Sequence, residues 1–240
     1  MQNIILIGTH HSEIEKCNSD ELYKIIESIN PDIIFEELPR HSFDAFYNDS
    51  FDVNNILLNR RPVVPLEVKC VKKYKQNYHI KIFPVDIDVR QKLSKYEDEI
   101  LLMYFTFLKH DNYKKLDNEK DSLIAQEGFD YLNSDKFLDS LEKKEIIERN
   151  IIESELHKDR LLDIYKLFHA EQYDNRENAM LQNIYDYSKE NQYNKAVFLI
   201  GAGHIKSIMQ KIIEYEKISE IKLNWKKYMG QTKTTTMNLS

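Results

Sequence analysis

Two apolar runs near opposite ends of the chain stop in the same way. Residues 3–8 read Asn-Ile-Ile-Leu-Ile-Gly and residues 196–201 read Ala-Val-Phe-Leu-Ile-Gly, and each glycine is followed three residues later by a histidine. A run that is apolar at every position, rather than at every second one, suits a strand buried on both faces, as in a parallel sheet covered by helices. The chain is therefore expected to bring its two ends into one sheet.

The segments between and around these runs agree. Leu22, Ile25, Ile26 and Ile29 form one helical face, with Asn18 and Glu21 placed as a capping box. Residues 31–38 read as a second strand, closed by Pro39, and residues 80–88 as a third. Between them Leu66, Cys70, Val71 and Tyr74 share a helix side. All five prolines fall before residue 85, so the first third should be short elements and the middle long, unbroken helices. Ile100, Leu101, Tyr104 and Leu108 repeat at helical spacing, as do Leu161, Ile164, Tyr165 and Phe168. The expected fold class is α/β: a mostly parallel central sheet flanked by helices, with a helical insertion over about 91–192 between the third strand and the late one. Residues 1–230 should form one domain, with 220–228 a last edge strand and 231–240 a disordered tail.

Hydrophobic residues make up 42% and charged residues 31%, which allows a real core and a solvated surface. A net charge of −6 with both signs interleaved weighs against nucleic acid and anionic membranes as partners. No apolar run approaches the roughly 20 residues of a spanning helix. The start of the chain reads as a core strand and not as a signal peptide. Cys17 and Cys70 have no zinc-type spacing; a disulfide is open, but two inert thiols fit a reducing compartment better. A cytoplasmic protein is expected.

In a parallel sheet the carboxyl ends of the strands share one edge, and ligands bind in the crevice outside it. That edge should collect His10, His11, Glu36, Glu37, Asp86, Asp88 and His204. Strand alternation points only one of Glu36 and Glu37 into the crevice, and Asp86 or Asp88 could instead cap a helix starting near Val89. Gly8, Gly201 and Gly203, three of only five glycines, fall at these turns and suggest close backbone approach. A histidine and carboxylate cluster supports either a divalent metal with a bound water or general acid–base chemistry. His41, His79, His110, His157 and His169 have no telling spacing and are read as surface or packing residues.

These residues resemble the TraB/PrgY/GumN/TIKI superfamily, related to ChaN and the erythromycin-esterase-like proteins. The matching motifs are Gly8-Thr9-His10-His11, Pro31-Asp32-Ile33-Ile34-Phe35-Glu36-Glu37-Leu38, Glu67 on the next helix, Asp86-Ile87-Asp88-Val89-Arg90, Arg176-Glu177-Asn178-Ala179-Met180, and Gly201-Ala202-Gly203-His204. The chain departs in carrying Glu177 directly after the arginine, with Asn178 one place later. Glu148-Arg149-Asn150 fits that triplet better but lacks the methionine. Asp174 is expected to cap the Arg176 helix, with Glu177 returning the bond.

The resemblance implies a hydrolase or a peptide binder acting on a small molecule or short peptide. The expected site is a divalent cation (manganese, zinc or cobalt) held by His11, Glu37 and His204, with Arg176 stabilising an oxyanion and Glu67 and Asp86 fixing the imidazole tautomers. His10 is a less suitable ligand. The alternatives are a metal-free esterase with His11 as base oriented by Glu37, and a non-catalytic peptide-binding protein. No organic cofactor is expected, and the helical block could carry a homodimer contact.

Overall fold

The computed structural model describes residues 1–47 and 64–230 and the backbone of Thr234–Thr236. The chain runs β1 (Asn3–Thr9), α1 (Ser19–Ile29), β2 (Ile33–Pro39), α2 (Arg40–Tyr47), α3 (Leu66–Asn77) and β3 (Lys81–Asp86). A helical block follows: α4 (Arg90–Leu93), α5 (Glu97–Phe107), α6 (Asp111–Glu127), α7 (Phe129–Leu132), α8 (Asp135–Ser154), α9 (Lys158–His169) and α10 (Arg176–Glu190). The chain returns through β4 (Lys195–Gly201), α11 (Ile205–Ile218), β5 (Asn224–Tyr228) and β6 (Thr234–Thr236). This is the α/β architecture the sequence implies.

The strands lie in the order β3-β2-β4-β1-β5-β6. All pairings from β3 to β5 are parallel, and β6 adds an antiparallel edge. The expected last edge strand is thus β5, inside the sheet. Part of the tail expected to be disordered supplies the edge instead; 231–233 and 237–240 lie outside the described residues. Pro84 sits in β3 at the other edge, where a missing N–H costs no ladder bond.

β1 and β4 are adjacent and in register, with Gly8 opposite Ile200 and Thr9 opposite Gly201. Their backbones are buried in Ile4, Leu6, Ile7 and Val197–Ile200, all 0% exposed. Beyond them the chain turns opposite ways. β1 leads through α1, which packs on α3, and β4 leads into α11, which packs on α10. Adjacent strands whose crossovers diverge create a crevice at their carboxyl ends, so this is the switch point of the sheet.

Local signals acted mostly as expected. Asn18 caps α1, accepting from Asp20 and Glu21 N–H at 3.0 Å each, while the Glu21 carboxylate goes to Lys24 rather than back to the cap. Asp88 caps α4 through the Arg90 N–H at 2.9 Å. In α5 the helix is as read but its buried side is the neighbouring one: Met103 and Phe107 are buried, while Leu101, Tyr104 and Leu108 are exposed. These two join Ile151, Ile152, Leu161, Ile164 and Tyr165 in a second apolar cluster, separate from the core around the sheet. Asp174 caps nothing, because α9 continues through a π-helical segment, Ala170–Asn175, directly into α10. Cys17 and Cys70 are free and buried, and burial pushes the Cys17 thiol up to about 12. Among the described residues no helix is long and apolar enough to cross a membrane.

Candidate active site

Each histidine of the paired turns is anchored at one ring nitrogen and presents the other. His11 Nδ1 lies 3.1 Å from Glu67 Oε1, at the start of α3. His204 Nδ1 lies 2.8 Å from Glu177 Oε1, in the first turn of α10. Glu67 and Glu177 are both buried. With Nδ1 engaged, both Nε2 atoms face Glu37 at the end of β2: His204 Nε2 is 3.5 Å from Oε1, and His11 Nε2 is 4.0 Å from Oε2. His204 is nearly buried at 9% side-chain exposure, whereas His11 is 54% exposed on the crevice side.

Glu37 is the hub. Its Oε2 accepts the Gly201 N–H at 2.5 Å and its Oε1 accepts from the Arg176 guanidinium. Burial alone would raise this carboxyl; His204, His11, Arg176 and the Gly201 N–H overcome that and hold it below the usual range. Arg176 reaches across to Asp86 at the end of β3, donating from Nη2 at 2.7 Å and Nε at 3.1 Å. One guanidinium therefore clamps two carboxylates from neighbouring strands. The hydrogen bond to Glu67 pushes the His11 imidazole up to about 9, against the opposing effect of burial.

Gly201 is demanded by space, not by backbone angle, since its φ is −53°. A Cβ there would meet His11 Nε2 at 3.0 Å and Glu37 Oε2 at 3.3 Å. Gly8 is similarly crowded by Ile205 at 2.2 Å, but Gly203 has nothing nearer than Tyr173 Oη at 4.0 Å.

The remaining expected residues divide. Glu67 orients His11, as foreseen. Asp86 does not fix an imidazole; it holds Arg176, and Glu177 takes the role on His204. The metal-free alternative has Glu37 orienting His11; the hydrogen bond at its Nδ1 comes from Glu67, and Glu37 faces Nε2 at 4.0 Å. His10 turns to the Ser12 carbonyl at 2.9 Å. Glu36 points away from Glu37 and accepts the Tyr47 hydroxyl at 2.9 Å; burial raises its carboxyl to about 8. Asp88 pairs with Arg90 at 2.7 Å and with His41 at 3.5 Å, outside the cluster.

Several residues escaped the sequence reading. Asn133, fully buried in the turn after α7, bonds both backbone groups of Gly8. Thr9 donates to Glu67. Tyr173 packs on the His204 ring with centroids 4.9 Å apart. Ser207 and Lys211 of α11 donate to the far oxygen of Glu177. Apart from Thr9 none lies in a motif; each is at least partly buried and remote in sequence from its partner.

The donor set suits a divalent cation in kind: two imidazole Nε2 atoms and a carboxylate, with both rings oriented by further carboxylates, which is the usual arrangement around a ligating histidine. The Glu67 Oε2 atom is buried without a partner among the described residues, beside a cavity of about 60 Å³ that also touches His11, Glu36 and Glu37. Such an atom calls for a water in that space. Among the described residues no three donors already stand at ligand spacing, and Arg176 is the cation on Glu37. Comparison with models of known protein families returns no match, and no curated protein matches the chain.

Proposed function

We propose that this chain is a hydrolase of peptide or amide bonds, working at the carboxyl edge of β1, β2 and β4. The observation that carries the reading is the convergence of two oppositely anchored imidazoles on one buried carboxylate, beside an arginine. The motif resemblance to the TraB/PrgY/GumN/TIKI superfamily supports it. A zinc, manganese or cobalt ion would be held by His11 Nε2, Glu37 and His204 Nε2, and would supply a water acidic enough to attack at neutral pH. Glu67 and Glu177 hold the two rings at Nδ1 and leave both Nε2 atoms aimed inward. Glu37, held ionised, is also placed to take a proton from an attacking water. Arg176 lies where negative charge on a carbonyl oxygen would develop, an interaction worth about 3–4 kcal/mol when lost in comparable oxyanion sites.

A second reading is favoured by Arg176 already holding Glu37: a metal-free hydrolase in which His11, oriented by Glu67, is the general base on an ester. That reading predicts rates that rise toward alkaline pH as the raised His11 sheds its proton.

Metal content decides between them. The purified protein is compared with the double variant His11→Ala, His204→Ala, and both are assayed on fluorogenic peptides and on esters with and without chelator. Near-stoichiometric metal lost in the variant, with chelator-sensitive peptide cleavage, is the expected result. Chelator-resistant ester cleavage would establish the second reading. Saturable peptide binding with no product in any assay would overturn both.

A further inference from the structure

The crevice at His11 and His204, about 450 Å³, continues past Tyr173 and Gly203 into a second cavity of about 400 Å³ between the helical block and α11. One stripe of side chains joins the two. Tyr165, His169, Tyr173 and Glu177 follow one another at four-residue intervals. Tyr165 lies on His169 with centroids 4.2 Å apart, His169 stacks on Tyr173 at 5.1 Å and 22°, and Tyr173 packs on His204. Burial holds the His169 imidazole below its ordinary value, which favours its neutral form. Tyr104 and Phe168, edge to face at 5.7 Å, line the same cavity.

The charges around it are nearly all committed. Glu142 pairs with Lys206, Glu145 with Arg149 at 2.8 Å, Asp174 with Lys211 at 2.9 Å, and Lys144 with Asp117 at 3.1 Å. Glu148 is the exception. It is 9% exposed, lines the cavity, and makes no ion pair among the described residues. It accepts the Tyr165 hydroxyl at 3.1 Å and is also hydrogen-bonded by Tyr113. Burial raises its carboxyl above the usual range, with the Lys144 charge opposing. A buried carboxylate without a cation is costly.

We propose that this cavity is the specificity pocket of the site and takes the basic side chain of a peptide substrate, its aliphatic stem against the Tyr104, Phe168 and Tyr173 rings and its guanidinium or ammonium tip on Glu148. Aromatic faces attract such cations, more so when the site excludes water. The proposal rests on the hydrolase reading only for what happens at the other end of the substrate.

The test measures calorimetric binding of Nα-acetyl-arginine amide and its norleucine analogue to the full chain. Three proteins are compared: wild type, Glu148→Gln, and Glu37→Gln, which disables the proposed chemistry and leaves the pocket intact. The arginine probe should bind at least tenfold tighter than the norleucine probe to wild type and to Glu37→Gln, and the preference should vanish in Glu148→Gln. Tyr104→Leu, at the exposed rim, should weaken the arginine probe severalfold, and it serves if Glu148→Gln does not fold. Equal binding of the two probes to wild type, or a preference that survives Glu148→Gln, would overturn the proposal. Arginyl peptides that bind but are not cut would support the pocket and remove the hydrolase reading. Peptides cut without regard to basic residues would do the reverse.

Discussion

Asn133 grips Gly8 at both backbone groups: its Oδ1 accepts the Gly8 N–H at 2.7 Å and its Nδ2 donates to the Gly8 carbonyl at 3.0 Å. A third bond, to the Phe129 carbonyl at 2.9 Å, fixes the amide itself. One side chain from the helical block therefore satisfies both backbone groups of Gly8 at the end of β1. Leucine at 133 would leave buried donor and acceptor unpaired, each costing about 1–3 kcal/mol. Asn133→Leu should lose roughly 2–5 kcal/mol in urea unfolding. Unchanged stability would mean that water replaces the amide there.

Gly201 and Gly203 offer a matched contrast. A methyl at 201 lands against His11 Nε2 and Glu37, whereas one at 203 meets open space. Gly201→Ala should abolish metal uptake or turnover at a stability cost of about 1–3 kcal/mol, the usual range for overpacking. Gly203→Ala should fold and act like wild type. Equal behaviour of the two variants in a titration with cobalt ions would show that the crowding at His11 is irrelevant.

Glu177 is fully buried and divides its oxygens, one to His204 and the other to Ser207 and Lys211. Removing a carboxylate that orients a ligating imidazole commonly costs about 10–100-fold in metal affinity or activity. Glu177→Gln should show that loss while Asn178→Ala, one residue on, should not. A wild-type cobalt dissociation constant in Glu177→Gln would remove His204 from the site.

Glu36 supplies a pH dependence of stability with a definite sign. Its carboxyl is raised from the ordinary range to about 8, mainly by burial, so the folded protein keeps a proton that the unfolded chain releases. The stabilisation is complete below the unfolded value and is lost as pH climbs through about 8. Thermal unfolding across pH 5–9 should show wild type falling relative to Glu36→Gln as pH rises. Parallel curves would place an ionised carboxylate at Glu36 throughout.

The strands were legible because burial on both faces demands runs such as Ile4–Ile7 and Val197–Ile200, which nothing else in a chain of this composition explains. The adjacency of β1 and β4 was implied only by matching endings. Hidden entirely were the partners that give the site its geometry. Glu177 looked like a capping residue because the sequence does not announce that α9 and α10 are one continuous rod through a π-helical segment. That segment also breaks the 3.6-residue period, so the alignment of His169 and Tyr173 with His204 has no signature. In α5 two apolar stripes lie side by side, and contact with α9 and α8 selects Met103 and Phe107 over Leu101 and Leu108.

β4 lies between β2 and β1, although it is made long after both. A ribosome delivering this chain has released β1, β2 and β3 well before the strand that joins them exists. Until residues near 204 emerge, the strand that leads to His11 and the strand that carries Glu37 have a gap between them, with neither His204 nor the Gly201 N–H in place. The cluster cannot form on a partial product of translation. The proposed site is therefore assembled only after β4 has been made, and a chain truncated before β4 lacks both His204 and the Gly201 N–H.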